Sequence, residues 1–148
     1  MITIKDGNLF NSEAQVIAHQ CNCQGVMGSG VAKEVKERYP HVYESYRKDY
    51  ETGLLKPGYV NYTEAKPGQI IASFCGQDKF GSDGKQYTDY NAVKECLFDI
   101  ALNMSLSELK TIAFPYMVCC GRGGGNWDII LDMIEQIFKD FDVEIWKL

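Results

Sequence analysis

Two glycine-bearing loops carry the residue types that could bind a phosphorylated ligand. The first covers residues 19–32, and its glycines at positions 28 and 30 remove side chains where a ligand or another backbone approaches closely. The apolar run before this loop predicts a strand, and the apolar spacing after it predicts a helix. The first amides of a helix have no intrahelical acceptors and can bind an anion such as phosphate. A tight strand-to-helix turn without a ligand is the alternative.

The second loop, residues 114–127, has the same setting, after an apolar strand and before a helix. Four of the five residues from 121 to 125 are glycines. Ordering glycines on folding loses more conformational entropy than ordering other residues, and a simple connection rarely needs so many of them. Ligands in open α/β sheets bind at the carboxyl ends of the strands, so we expect the loops to form two walls of one phosphate-binding cleft. Neither loop has the Walker A or the dinucleotide-binding pattern.

Length and composition predict one folded domain over residues 1–148, with 45% hydrophobic and 12% aromatic residues. No apolar run approaches the ~20 residues that span a bilayer, and residues 1–6 lack the features of a signal peptide. We therefore expect a cytoplasmic protein without a membrane partner. The net charge of -5 argues against broad nucleic-acid binding, which needs a basic face. A nucleotide-sized anion can still be bound by backbone amides.

The six cysteines include the spacings Cys-x-Cys at Cys21 and Cys23 and Cys-Cys at Cys119 and Cys120. These are not the usual spacings of zinc ligands, although zinc remains an alternative. We interpret the cysteines as small buried thiols that are reduced in the cytosol, and we predict neither a metal nor a cofactor.

Apolar periodicity predicts alternating strands and helices. The predicted strands lie at 2–4, 15–19, 58–63, 70–74, 111–114 and from 143 onward. The predicted helices lie at 31–39, 40–53, 88–103 and 127–137, the last two capped by Thr88 and Asn126. This order predicts an α/β fold in which a mixed, mostly parallel sheet carries helices on both faces.

Residues 19–32 resemble the first ligand loop of macrodomains, the ADP-ribose-binding family, and the second glycine loop is similar to that family's second phosphate loop. Residues 5–10 resemble the family's Gly-Asp-Leu/Ile start, and residues 143–148 lie where a macrodomain has its last strand. The resemblance covers nearly the whole chain and implies a three-layer α/β/α macrodomain. The most similar branch acts on ADP-ribose 1''-phosphate or on ADP-ribosyl adducts.

The resemblance implies that the ligand is ADP-ribose or ADP-ribose 1''-phosphate, and we expect the protein to be a monomer. The residues it places at the ligand are Asn8, Leu9, Gln20, Cys21, Gly28, Ser29, Gly30, Val31, Pro115, Cys120, Gly121, Arg122, Gly123, Gly124, Gly125, Asn126 and Trp127. At Asn8 the family has an acidic residue that accepts a hydrogen bond from the adenine amino group. The Asn8 carbonyl oxygen can accept instead, and a plain turn residue is the alternative.

Two residues are the catalytic candidates. His19 matches a histidine implicated in the phosphatase branch, and we expect it to transfer a proton, with a hydrogen-bonded core histidine as the alternative. Asn22 is expected to hold the distal ribose or orient the attacking water. Residues 75–87 form a long polar loop that borders the distal ribose in related macrodomains. Some relatives use a lysine near there, and Lys79 is the candidate, with a solvated surface lysine as the alternative.

The predicted function is hydrolysis of ADP-ribose 1''-phosphate to ADP-ribose and phosphate. One alternative is a hydrolase that removes ADP-ribose from a protein or nucleic-acid adduct. Relatives that do so on proteins carry an aspartate in the second loop, where residues 121–124 hold no carboxylate. A module that binds ADP-ribose without turnover is a second alternative, and an unrelated nucleotide-binding α/β protein is a third.

Overall fold

A six-stranded mixed sheet forms the centre of the protein in the order β1-β6-β5-β2-β4-β3. The computed structural model describes residues 1–148. The strands are β1 (Ile2–Asp6), β2 (Val16–Cys21), β3 (Val60–Lys66), β4 (Gln69–Cys75), β5 (Thr111–Pro115) and β6 (Asp142–Lys147). All neighbouring strands pair in parallel except β3 and β4, which form an antiparallel hairpin. The mixed, mostly parallel sheet is confirmed.

Four α-helices cover the two faces of this sheet. They are α1 (Gly30–Arg38), α2 (Pro40–Glu51), α3 (Tyr90–Leu106) and α4 (Trp127–Ile137), and a short 3-10 helix covers Leu9–Asn11. One core of 11 buried residues, including Val35 and Tyr46, lies under α1 and α2. A second core of 19 residues, including Ile100 and Ile134, lies under α3 and α4. The three-layer α/β/α architecture is therefore confirmed.

Strand β2 shows how the sequence builds both cores. Its side chains alternate between the two faces, so Val16 and Ala18 join the core under α3 and α4, and Ile17 and Cys21 join the other. A strand buried on both faces is rich in apolar residues, and four of the six residues of β2 are apolar. Its neighbours β4 and β5 run parallel to it, which brings three carboxyl ends to one edge of the sheet.

Some predicted boundaries were wrong. Strand β2 ends at Cys21, not at position 19, because Gln20 and Cys21 still pair with β4. Helix α3 is capped by Asp89, whose side chain accepts from the amides of Asn91 and Ala92 at 3.0 and 3.2 Å. Thr88, the predicted cap, donates instead to the carbonyl of residue 119 at 2.8 Å. The predicted cap Asn126 is confirmed, since its side chain accepts from the amides that begin α4.

None of the helices is both long enough and apolar enough to cross a membrane. All six cysteines are free thiols, and five of them are buried.

Candidate functional site

A cavity of about 580 Å³ opens at the carboxyl ends of β2 and β5. Its walls are the first glycine loop with the start of α1, the second glycine loop, and Gln77 with residues 80–82 of the loop after β4. This volume lies within the range of ~300–1,000 Å³ that is usual for small-molecule sites. A second cavity of about 290 Å³ shares Val31, Pro115 and Tyr116 with the first. The two cavities therefore adjoin and form one elongated groove.

The start of α1 presents free backbone donors to the larger cavity. The amides of Gly30, Val31 and Ala32 have no acceptor within the helix, and the side chain of the N-cap residue, Ser29, makes no capping hydrogen bond. No acidic residue lies in the first turn to compete for these donors. Gly30 has a φ of +59°, and a Cβ built on it would have no neighbour within 4 Å. The helix start is thus open for an anion.

The charges that line the larger cavity suit an anion despite the overall charge of -5. Arg122 is its only charged lining residue, and no carboxylate lines it. Arginine can bind a phosphate through two parallel N–H donors. The charge of the cavity lining is therefore positive, although the net charge of the whole chain is negative.

Asn22 lies in the lining, and its side chain also holds the first loop together. Its Oδ1 accepts from the Gln24 amide at 2.9 Å and from the Tyr46 hydroxyl at 3.0 Å. Its Nδ2 donates to the Val26 carbonyl at 2.8 Å, which leaves one of the two N–H groups without a partner. Asn22 can therefore donate to a ribose hydroxyl, whereas its carbonyl oxygen already serves the loop.

His19 does not reach the cavity. Because β2 continues for two more residues, His19 lies within the sheet, opposite Ser73 of β4. Its side chain is 1% exposed, and one ring nitrogen lies 2.8 Å from the Ser73 hydroxyl. Burial lowers the pKa of His19 from 6.5 to about 4, so the ring is neutral at pH 7. This geometry is that of a hydrogen-bonded core histidine, and it does not support the predicted proton transfer.

The glycines of the second loop have two different roles. Gly121 lines the cavity, and a Cβ built on it would meet nothing within 4 Å. In contrast, a Cβ on Gly124 would lie 2.8 Å from the Lys85 carbonyl oxygen, and one on Gly125 would lie 2.7 Å from that of Cys119. Gly124 also has a φ of +72°, which other residues rarely adopt. Close packing, against the neighbouring loop at Gly124 and within the second loop at Gly125, therefore requires part of the glycine run.

Most predicted ligand-binding residues line one of the two cavities. Those in the larger cavity are Gln20, Cys21, Gly28, Ser29, Gly30, Val31, Pro115, Gly121, Arg122 and Gly123. Those in the smaller cavity are Asn8, Leu9, Val31 and Pro115. Five others lie outside both linings: Cys120, Gly124, Gly125, Asn126 and Trp127. Asn126 caps α4, and the Trp127 ring packs on Tyr116 with ring centroids 5.4 Å apart.

The loop after β4 contributes lining residues that the sequence pattern did not single out. Gln77, Phe80 and Ser82 line the cavity, and the sequence signals for them were the length and polarity of this loop and its place in related macrodomains. Gln77 accepts from Gln20 Nε2 at 2.6 Å and donates to the Lys79 carbonyl at 2.7 Å. The loop is therefore fixed at its base. The Lys79 side chain itself is exposed and is not part of the lining.

Gln20 carries an unpaired acceptor. Its Oε1 is buried and accepts no hydrogen bond within the chain, although its Nε2 donates to both Gln77 and Thr88. This oxygen faces the backbone of Gly76, where an added Cβ would meet it, and a buried polar atom without a partner costs stability.

The smaller cavity begins at Asn8. Its Oδ1 accepts from the Phe10 amide at 2.9 Å, so Asn8 caps the 3-10 helix and has the turn role that the sequence left open. Its Nδ2 donates to Glu34 Oε2 at 3.4 Å. Glu34 also lines this cavity, although the sequence pattern did not single it out. Glu34 is a polar residue on a helix, and periodicity alone does not show whether such a residue faces a ligand or the solvent.

Comparison with known proteins identifies the family. The family model described as Macro domain matches residues 18–134. The DNA ADP-ribosyl glycohydrolase of Mycobacterium tuberculosis is 38% identical over 155 residues, which cover 99% of this chain but 42% of that protein. The ADP-ribose 1''-phosphate phosphatase of Aspergillus fumigatus is 38% identical over 60 residues, or 40% of this chain and 30% of that protein. Each of these matches thus covers less than half of the relative's own length.

Solved structures show the same fold. The macrodomain of Mycobacterium tuberculosis DarG has a TM-score of 0.87 at 23% identity, with 99% of this chain and 97% of that chain covered. Thermosipho africanus DarTG, solved in complex with ADP-ribose, has a TM-score of 0.83 at 22% identity, with 99% and 41% covered. The matched family model covers most of the chain, and the predicted macrodomain fold is confirmed. This chain belongs to the macrodomain family.

Proposed function

We propose that this macrodomain binds ADP-ribose along the groove and hydrolyses the bond between C1'' of the distal ribose and a nucleic-acid adduct. One observation carries the proposal, namely that two glycine-bearing loops enclose a carboxylate-free cavity at the start of α1. The choice of adduct is supported by the glycohydrolase relative, whose similarity extends over 99% of this chain. The phosphatase relative is similar over 40% of it.

The two cavities divide the ligand between them. The diphosphate lies at the start of α1, where free amides and the helix dipole favour negative charge, and Arg122 faces it from the second loop. The base occupies the smaller cavity, whose walls include Phe10, Tyr116 and Trp146. The distal ribose lies at the Asn22 end, where the spare N–H of Nδ2 donates to a hydroxyl.

The reaction exchanges one bond at C1'' for another. A water oxygen forms the new bond to C1'', and the bond to the adduct breaks with its electron pair going to the leaving group. The water gives up one proton, and the leaving group takes one. A lysine can supply or relay such a proton. Lys79 lies outside the lining with an exposed side chain, but Gln77 and Phe80, on either side of it in the sequence, line the cavity. We assign it this role on the assumption that its side chain turns into the cavity when the ligand binds.

Hydrolysis of ADP-ribose 1''-phosphate is the second candidate. The 60-residue match with the Aspergillus phosphatase favours it, and a 1''-phosphate is a further anion that backbone amides can bind. His19 takes no part in either reaction, since it lies inside the sheet.

Product release from three substrates tests these assignments. The protein is incubated with an ADP-ribosylated DNA oligonucleotide, with ADP-ribosylated protein and with ADP-ribose 1''-phosphate, and free ADP-ribose and phosphate are measured. We expect ADP-ribose from the oligonucleotide. Phosphate release alone would favour the second candidate, and tight ADP-ribose binding without turnover would refute hydrolysis.

A matched pair of lysine variants tests the role of Lys79. Lys79→Ala should lower turnover by ~100-fold or more, as expected when a proton-transfer group is removed. Lys85→Ala is the control, because this lysine lies on the same loop with a side chain that is 77% exposed. Equal turnover in the two variants would remove Lys79 from the reaction.

A further inference from the structure

We propose that the carboxylate of Glu34 selects an adenine base over hypoxanthine in the smaller cavity. The inference rests on the proposed function, because it assumes that a purine diphosphate ribose occupies the groove. It concerns base selection, which is separate from hydrolysis and can be measured by binding alone.

The volume and lining of the smaller cavity suit a flat base. It has a volume of about 290 Å³, and aliphatic and aromatic side chains such as Leu9, Val31 and Trp146 form its walls. Such walls bind the faces of a heteroaromatic ring but cannot satisfy its polar edge. Glu34 is the only acidic side chain in the lining, and Lys147, whose Nζ lies 4.7 Å from the centroid of the Tyr116 ring, is the only basic one. Glu34 is therefore the lining side chain that accepts hydrogen bonds without donating any.

The acceptors at this end of the cavity are not equivalent. One lone pair of Asn8 Oδ1 is used by the Phe10 amide at 2.9 Å. Glu34 Oε2 accepts from Asn8 Nδ2 at 3.4 Å and from Arg38 Nε at 3.0 Å. Glu34 Oε1 accepts no hydrogen bond within the chain, and the Glu34 side chain is 36% exposed. Oε1 is therefore the charged acceptor that remains available to a ligand.

The neighbours of Glu34 hold its carboxylate in place. The Arg38 guanidinium lies over the Phe10 ring, 4.9 Å from its centroid, and its Nε donates to the same Oε2. Asn8, the N-cap residue of the 3-10 helix, contacts the same oxygen. Because both partners bind Oε2, they fix the orientation of the carboxylate and leave Oε1 free to accept a hydrogen bond.

The two purines differ at the edge that a carboxylate would meet. Adenine has an amino group at C6, which donates, and hypoxanthine has a carbonyl oxygen there, which only accepts. A carboxylate is an acceptor without donors, so it bonds the first and repels the second. A glutamine at the same position has both a donor and an acceptor and would distinguish the two bases poorly.

Calorimetric titration with ADP-ribose and with inosine diphosphate ribose tests the proposal. The wild type should bind ADP-ribose about tenfold more tightly or better, as a charge-assisted hydrogen bond predicts. Glu34→Gln should bring the ratio of the two affinities close to one. Glu37→Gln is the matched control, since this glutamate lies on the same helix with a side chain 63% exposed and outside the cavity. It should keep the wild-type ratio.

The outcomes separate this inference from the proposed function. A wild type that binds both ligands equally, or a folded Glu34→Gln that keeps the wild-type ratio, would overturn the inference and leave ADP-ribose binding intact. A wild type that binds neither ligand would overturn both. Thermal unfolding followed by circular dichroism confirms that each variant is folded. Glu34→Ala is a second variant, which should also lose the preference.

Discussion

Lowering the pH from 7 to 5 should destabilise the folded chain through one buried histidine. The folded state holds the pKa of His19 at about 4, compared with 6.5 for a solvated imidazole, because burial penalises the charged ring. Between these values the unfolded chain binds a proton that the folded chain does not. The free energy of unfolding therefore falls as the pH falls through this window. From pH 7 to pH 5 the loss amounts to about 2 kcal/mol.

Urea unfolding at pH 7, 6 and 5 measures this effect in the wild type and in His19→Gln. The stability advantage of the wild type should shrink by about 2 kcal/mol between pH 7 and pH 5. Stopping at pH 5 stays above the ordinary carboxyl range of ~4. His41→Gln is the control for removing a histidine, because His41 is exposed. Parallel pH profiles for wild type and His19→Gln, or an imidazole signal of His19 that titrates near 6.5, would refute the reasoning.

Two further predictions concern the loops. Tyr46→Phe removes the hydroxyl that donates to the Asn22 carbonyl at 2.6 Å, so it should lower the free energy of unfolding by about 1–2 kcal/mol and weaken ADP-ribose binding. Tyr43→Phe is the control, because it loses no intrachain hydrogen bond. Equal unfolding curves for the two variants would contradict the prediction. Gly124→Ala should lower the thermal unfolding midpoint, because the new Cβ would lie 2.8 Å from the Lys85 carbonyl oxygen and the backbone φ is +72°. Gly121→Ala is the control and should leave the midpoint unchanged, since a Cβ there meets nothing within 4 Å. Similar midpoints for the two variants would contradict the prediction.

The sequence was sufficient to predict the architecture because the apolar pattern agrees with the sheet at each step. The hairpin at Gly68, the parallel strands and the cap at Asn126 all follow local rules of turn chemistry, burial and capping. The two glycine loops were expected to share a cleft, and they do, because parallel strands bring their carboxyl ends to one edge.

The details of the site depend on where strands end, to within one or two residues, and on how the loops pack, and the apolar pattern of the sequence does not determine either. Gln20 reads as a polar end to the strand, yet it pairs within the sheet, and this shift buries His19. The glycines from 121 to 125 look equivalent in sequence, but tertiary packing separates Gly121 from Gly124. Glu34 lines the smaller cavity only because the fold places α1 beside Asn8, and the sequence pattern does not contain this contact.

Binding of one ADP-ribose between the two glycine loops underlies every assignment made above. Calorimetric titration of ADP-ribose into wild type and Gly121→Glu is the decisive experiment, since a side chain at this position has open space and projects from a residue that lines the cavity. We predict one ligand bound per wild-type chain and a loss of at least ~100-fold in affinity in the folded variant, because steric exclusion and charge repulsion act together. Equal affinity in the two proteins, or no binding by the wild type, would contradict this binding mode.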